Sequence, residues 1–258
     1  MKSIHKAVRD QFSQHADYYA ESSAHAEGDT LQVILDFANP NGTEKTLDIA
    51  TGTGFTAFAI APKVSHVIAT DLTPEMVAKA ADLAKEQLIP NITFTVAAAE
   101  ALPFTTASLD LVTCRLAPHH FQDVPKFLNE VHRVLRPDGL FCLTDSVSPE
   151  SENLIEWQNR VEKLRDESHV FGYPPSQWDK MIQDAGFNIE DSAHTRNALM
   201  SFMWWVRPHK NPQDVVTEIR KAFAELSPDD AKKHYTVEPS GDDFYFSWPM
   251  YAVKAKRI

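Results

Sequence analysis

Cysteine is nearly missing from this sequence: Cys114 and Cys142 are the only two in 258 residues. Two thiols so far apart supply neither a disulfide framework nor a metal-ligand spacing, so no metal site is expected and a cytoplasmic setting is. Cationic side chains are also in short supply, with 25 Lys and Arg against 36 Asp and Glu and a net charge of −11. Nucleic acid as a main partner calls for clustered Lys and Arg to neutralise phosphates, and that class is set aside. No apolar run approaches the length of a membrane span, and the first residues lack the apolar stretch of a signal segment. Repeats and low-complexity tracts are absent. What is present, 43% hydrophobic and 24% charged residues, suffices for a full globular core.

The most informative stretch is residues 45–57, Lys-Thr-Leu-Asp-Ile-Ala-Thr-Gly-Thr-Gly-Phe-Thr-Ala. Leu47, Ile49 and Ala50 read as the end of a short buried strand, residues 51–54 as a turn, and the apolar run from Phe55 as a helix. Gly52 and Gly54 put no Cβ in the turn, so a ligand has room to lie against the backbone. A phosphate-cradling loop requires Lys and then Ser or Thr after its last glycine, where this chain has Phe55-Thr56. The series Gly52-x-Gly54-x-x-Ala57 does fit a dinucleotide fingerprint, with Asp71 at the spacing of a ribose-binding acid. Asp48 would then set a carboxylate near a pyrophosphate, an unfavourable like-charge arrangement. The same carboxylate suits a ligand carrying an ammonium and a sulfonium, which points to S-adenosylmethionine. An ordinary strand–helix turn is the reading that involves no ligand at all.

Downstream, strand and helix alternate. Residues 64–72 read as a second strand ending near Asp71. Thr73-Pro74-Glu75 then starts a helix running to about Gln87, with a capping hydroxyl, a proline in the first turn and an early acid. Residues 92–98, 109–114 and 140–147 read as strands three to five, with a helix over 123–135 and a Pro137-Asp138-Gly139 turn before the last. Open α/β sheets bind ligands outside the carboxyl ends of their strands, which is where Arg115, His119 and His120 fall. A neutral imidazole there suits removal of a proton from a nucleophile. Neighbours in an extended segment face opposite ways, so only one of His119 and His120 is expected at the reacting group. The alternative is that both are structural.

Five segments now stand in series: Leu47-Asp-Ile-Ala-Thr-Gly-Thr-Gly54, Asp71-Leu-Thr-Pro-Glu-Met76, Ala98-Ala-Glu-Ala-Leu-Pro-Phe104, Leu109-Asp-Leu-Val-Thr-Cys-Arg115 and Val131-His-Arg-Val-Leu-Arg-Pro-Asp-Gly-Leu140. In order and spacing, over about residues 10–190, the series resembles the Rossmann-like S-adenosylmethionine-dependent methyltransferases. The nearest branch holds the ubiquinone and menaquinone biosynthesis methyltransferases and their uncharacterised bacterial relatives. The resemblance implies a cofactor site built from Asp48, Ala50, Thr51, Gly52 and Gly54, with Asp71 on the ribose and Leu72 and Met76 along the adenine. Ala98, Ala99, Glu100 and Arg115 complete it. An N-terminal cover with the pattern Phe12-x-x-x-Ala16-x-x-Tyr19 brings Tyr19 to the cofactor. Two positions depart from the family pattern. Ala50 replaces the first turn glycine, and Ala98 replaces an acid that accepts from the adenine amino group. Adenine recognition is therefore expected to rest on backbone groups at Ala98 and Ala99 and on Glu100.

The implied fold is α/β: a Rossmann-like, seven-stranded, mostly parallel sheet with helices on both faces, an antiparallel last strand and a helical cover. One domain is expected over 1–258. It divides into a cover over 1–38, in two helical pieces broken near Gly28-Asp29, a cofactor core over 44–148, and a C-terminal half over 149–258. In that half, helices are expected over 152–167, 176–185 and 211–226, a strand from Phe187, and a last strand over 243–256. Segments near 150–175 and 200–235 would enclose the acceptor. The aromatic run 199–206 reads first as core or cover; the alternative is that Phe202, Trp204 or Trp205 lines an acceptor pocket. Cys114 and Cys142 fall on neighbouring strands as buried free thiols. The expected function is in-line transfer of a methyl group from S-adenosylmethionine to a small-molecule acceptor, leaving S-adenosylhomocysteine, with a quinone-precursor carbon as the narrower expectation. The alternatives are a nicotinamide-dependent oxidoreductase using the Gly52–Gly54 loop and a non-catalytic protein that binds S-adenosylmethionine.

Overall fold

The structure, a computed structural model, describes residues 4–13, 29–207 and 211–258. Strand β1 (Lys45–Ile49) is buried from its second residue onward, as befits a central parallel strand covered on both faces. It pairs in parallel with β2 (His66–Asp71) on one side and β4 (Leu109–Arg115) on the other. Beyond them β3 (Ile92–Val96) adds to β2, and β5 (Leu135–Ser146) adds to β4, also in parallel. The full sheet has seven strands in the order β3-β2-β1-β4-β5-β10-β6, where β6 is Phe187–Arg196 and β10 is Pro249–Arg257. β10 runs antiparallel to both of its neighbours. The expected sheet, antiparallel last strand included, is the observed one.

Helices cover both faces. On one, α2 (Asp29–Ala38), α3 (Phe55–Ile60) and α4 (Pro74–Glu86) contribute Ile34, Phe58, Ile60 and Ala80 to a core shared with Val67 and Leu111. On the other lies α5 (Val124–Val134), whose Phe127, Leu128, Val131 and Val134 are fully buried at intervals of three and four, one stripe of a helix. Its start is fixed by the Asp123 carboxylate, which accepts from the Lys126 N–H at 2.9 Å, and by a proline in the first turn. α7 (Pro175–Asp184) packs beside it through Trp178 and Ile182. Cys114 and Cys142 do lie on adjacent strands as free buried thiols, but in that register Cys142 stands opposite Thr113. Strand residues alternate faces, so Cys114 joins the α5 core and Cys142 the α2–α4 core. Burial pushes both thiols up, Cys142 to about 12.

The C-terminal half departs most from expectation. α6 (Glu152–Arg165) is followed, after α7 and β6, by β7 (Met200–Ser201), the short α8 (Phe202–Val206) and α9 (Gln213–Ala224). A further helix, α10 (Pro228–Tyr235), was not anticipated; the Ser227 hydroxyl caps it by accepting from the Asp230 N–H. The expected last strand over 243–256 is two strands in different sheets. β9 (Asp243–Phe246) joins β7 and β8 (Glu238–Ser240) in a three-stranded antiparallel sheet, and β10 turns into the main one. These elements enclose an aromatic core in which Trp157, Phe202, Trp205, Phe223, Tyr235, Phe246 and Trp248 pack edge to face or tilted. Phe202 and Trp205 therefore belong to this core and not to a pocket wall. No helix among the described residues is long and apolar enough to cross a membrane.

Candidate active site

The carboxyl ends of β1, β2 and β4 meet at one cavity. Its floor is the turn after β1. Ala50, Gly52 and Gly54 all have positive φ, at 53°, 55° and 100°. Gly54 is obligatory on packing grounds as well, because a Cβ there would sit 2.4 Å from the Phe58 ring. Gly52 is free of such crowding: nothing lies within 4 Å of where its Cβ would be, so its backbone faces open space. Ala50 holds a left-handed conformation that costs an L-residue about 1–2 kcal/mol, which is the physical reason a glycine would be at home there.

Asp48 lies under the turn, with 1% of its surface exposed. The Thr51 hydroxyl donates to its Oδ2 at 2.6 Å, and the Thr113 hydroxyl, from the paired position on β4, donates to its Oδ1 at 2.7 Å. Burial pushes the Asp48 carboxyl up to about 6 despite both hydrogen bonds. Asp71, at the end of β2, accepts from the Gly52 N–H and the Thr73 N–H, each at 2.9 Å. Burial raises its pKa too. The two acids thus bracket the glycine turn, and both line the cavity with Leu72 and Met76.

Arg115 closes the β4 side. Its Nε donates to the Thr56 hydroxyl at 2.9 Å and its Nη1 to the Thr30 hydroxyl at 3.2 Å. Burial lowers its pKa to about 10, against the pull of Asp48. Opposite, Glu100 is buried and accepts from the Gln122 N–H at 3.0 Å, with His5 Nε2 3.5 Å away. His5, Val8 and Phe12 of α1 (Ile4–Ser13) form the roof.

Of the expected site residues, Asp48, Ala50, Thr51, Gly52, Asp71, Leu72, Met76, Ala99, Glu100, Arg115 and His120 line this cavity. Gly54 sits one step behind it in the same turn. Tyr19 and Ala16 lie outside the described residues. Ala98 is not part of the wall, and its carbonyl is taken by the Ala101 N–H at 3.1 Å; Ala97 and Ala99 border the space instead. His119 is not in the wall either. A 3₁₀ turn over Pro118–His120 separates the two histidines. His119 donates its backbone N–H and Nδ1–H to the two oxygens of Asp145, at 2.9 and 2.7 Å. Burial opposes charge on that ring, but Asp145 outweighs it and the pKa is raised. His5, Thr30, Thr56 and Thr113 escaped sequence reading. Thr113 had one available signal, its place in the strand that flanks β1.

A second, open groove runs over the ends of β5, β10 and β6. Its wall includes Thr30, Val147, Met200, Trp204, Tyr245 and Met250. Leu116 belongs to both spaces, so the groove adjoins the cavity just past Arg115. Trp204, alone of the three aromatic candidates, lines it.

Known proteins share this architecture. A family model described as a methyltransferase domain matches residues 47–143. The uncharacterized methyltransferase YcgJ of Bacillus subtilis is 36% identical over 218 residues, 83% of this chain and 86% of that protein. The ubiquinone/menaquinone biosynthesis C-methyltransferase UbiE of Citrifermentans bemidjiense is 35% identical over 113 residues, 42% of this chain and 48% of that one. The crystal structure of YcgJ superposes with a TM-score of 0.81, covering 88% of this chain and 97% of that one at 30% identity. A putative methyltransferase from Bacillus halodurans gives 0.83 at 29% identity, covering 88% and 98%. Similarity of this degree across most of both lengths is enough to assign the family: the chain belongs to the S-adenosylmethionine-dependent methyltransferases.

Proposed function

We propose that the cavity at the ends of β1, β2 and β4 holds S-adenosylmethionine and that a small-molecule acceptor reaches it from the adjoining groove. The observation that carries this reading is the pair of buried acids, Asp48 and Asp71, on either side of a turn whose Gly52 opens onto free space. The donor set fits the chemistry of that molecule. Asp71 retains acceptor capacity for a ribose diol beyond the two N–H groups it already binds. Leu72 and Met76 offer apolar contact to a flat base. Asp48 sets negative charge beneath a ligand with an ammonium and a sulfonium, where a pyrophosphate would be repelled.

When bound, S-adenosylmethionine supplies an electrophilic methyl carbon. The chain's part is then chiefly geometric. The glycine turn and the two acids fix one partner, α1 roofs the cavity, and Leu116 marks where the second partner arrives. Such alignment of nucleophile and electrophile is worth about 7–11 kcal/mol of barrier when the geometry is good. The groove walls are mixed, with Met200, Trp204 and Met250 beside His194 and Arg196. That pattern suits an acceptor with an apolar body and a few polar groups.

Calorimetry tests the reading directly. S-adenosylhomocysteine should bind and at about 100 times its Kd stabilise the fold by about 2.7 kcal/mol, while NADH should do neither. Asp71→Ala should weaken that binding at least about tenfold through loss of charge-assisted hydrogen bonds. Binding of NADH with no response to S-adenosylhomocysteine would refute the proposal in favour of an oxidoreductase.

A further inference from the structure

The two histidines after β4 have been given different surroundings, and the difference assigns a role to one of them. His120 lines the donor cavity, whereas His119 is turned to Asp145. The His120 ring is held from behind. Its Nδ1 lies 3.1 Å from the carbonyl oxygen of Ser168 and 3.1 Å from the Ser168 hydroxyl oxygen. That hydroxyl already donates its own proton to Asp166 Oδ1 at 2.6 Å, and the Ser168 N–H donates to the same oxygen at 2.8 Å. Ser168 thus has only acceptors left to offer, so Nδ1 of His120 must carry the hydrogen. A neutral imidazole with Nδ1 protonated has a bare lone pair on Nε2, and among the described residues Nε2 has no hydrogen-bond partner.

The loop that does this is itself pinned. Val170 and Phe171 donate their N–H groups to the His119 carbonyl at 2.8 and 3.2 Å. His169 donates to Asn159 Oδ1 at 2.9 Å, and Ser168 and Asp166 are almost wholly buried. Phe12 of α1 meets the His120 ring edge to face at 5.2 Å from the cavity side.

We propose that His120 Nε2 accepts the proton released by a protic acceptor during methyl transfer, with Ser168 and Asp166 as positioning residues that fix its tautomer. The inference rests on the methyl-donor reading of the cavity. The acceptor atom carries O–H or N–H. Its lone pair forms the new bond to the methyl carbon as the carbon–sulfur pair returns to sulfur, which leaves as a neutral thioether. The X–H pair stays on the acceptor atom, the proton passes to Nε2, and the imidazolium later yields it to water. Attack makes that proton strongly acidic, so a weak base suffices. Burial, and then the charge on neighbouring His119, push the His120 ring down to about 4, which keeps it unprotonated at neutral pH. The acceptor class that follows is a hydroxyl or amine bearing a hydrogen, not a thioether or a tertiary amine.

The test uses the intact protein, with S-adenosylhomocysteine as probe. Long-range ¹H–¹⁵N correlation on ring-labelled histidines should show His120 with Nδ1 protonated, and Ser168→Ala should keep that tautomer through the Ser168 carbonyl, which stays in place. Diethyl pyrocarbonate acylates only bare, accessible imidazole nitrogens. It should modify His120, and saturation with S-adenosylhomocysteine should slow that reaction at least about tenfold. That protection reports the place of the bare nitrogen in the donor cavity, and turnover reports its role. His120→Gln should lose the modified peptide and keep its affinity for S-adenosylhomocysteine within a few-fold. On a panel of phenols and primary amines it should also lose about a hundredfold in turnover. Nε2–H as the observed tautomer, acylation unaffected by S-adenosylhomocysteine, or near-native turnover by His120→Gln would each overturn the proposal. Failure of S-adenosylhomocysteine to bind at all, seen separately by calorimetry, would overturn the donor reading and the proposal with it.

Discussion

The donor end of the sheet and the aromatic half built on residues 152–248 solve opposite problems. At the donor end, polar groups are buried at some cost: Asp48 and Asp71 are held nearly out of water and both are harder to ionise for it. In the C-terminal half, Trp157, Phe202, Trp205, Phe223 and Trp248 bury apolar rings against each other, where area removed from water contributes about 25 cal/mol per Å². One region gives up stability to present charge; the other supplies stability and walls a groove. The difference suggests that substitutions in the two regions should affect folding and binding in opposite proportion.

The largest effect is expected in the aromatic core. Trp157→Ala should destabilise the fold by about 3–5 kcal/mol, through the lost ring contacts and the lost hydrogen bond from the indole N–H to the Ala222 carbonyl at 2.9 Å. The affinity of the remaining folded protein for S-adenosylhomocysteine should stay within a few-fold. Denaturant melts combined with calorimetry check both halves of this statement.

Asp48→Asn should do the reverse. The Asp48 carboxyl is raised in the fold from 3.8 to about 6. Its contribution to stability is therefore fully present below about pH 4 and is lost as pH rises through 6. The amide does not titrate, so at pH 7–8 the variant should be more stable than the parent by about 3 kcal/mol, with the gap closing toward pH 4. S-adenosylmethionine binding should be weakened by the same change. In the parent protein, affinity should rise between about pH 5 and 7 as the carboxylate ionises. A pH series of melts on both proteins would break the comparison if the gap ran the other way.

Smaller effects sharpen the contrast within the turn itself. Gly54→Ala meets the Phe58 ring and an unfavourable φ, and should cost about 1–3 kcal/mol along with donor affinity. Ala50→Gly relieves a left-handed alanine at φ 53°. Set against glycine's greater freedom when unfolded, the net gain should be about 0.5–1 kcal/mol, read as a small rise in Tm.

These expectations also show which parts of the molecule were legible in advance. The donor end is written in short range: an acid, a glycine turn and a second acid at the end of the next strand, each carried by a few adjacent residues. Strand order and the antiparallel last strand came through the resemblance of five such segments. The histidines were placed in the right region, but which one faces the cavity depends on a 3₁₀ turn and on Asp145, 26 residues away. Ala98 stands just behind the wall that Ala97 and Ala99 form, because its carbonyl closes a local bridge with Ala101. Phe202 and Trp205 could not be told from Trp204 by pattern, since their burial comes from Phe223, Phe244 and Phe246 in distant elements. α10 is too polar to show a clear stripe, and the division between β9 and β10 at Ser247-Trp248 is a short break between two aromatic-rich stretches.

The position of β10 has a consequence for the order of events during synthesis. β6 touches the main sheet only through β10, which inserts between it and β5. Chains emerge from the ribosome N-terminus first and fold as they appear. The parallel sheet from β3 to β5 can therefore assemble early, while β6 must wait as an unattached edge until residues 249–257 are available. For that interval the growing chain exposes two open strand edges, those of β5 and β6, each able to pair with a stranger. β10 covers the facing edges of both strands at once, and the outer edge of β6 remains as the rim of the sheet.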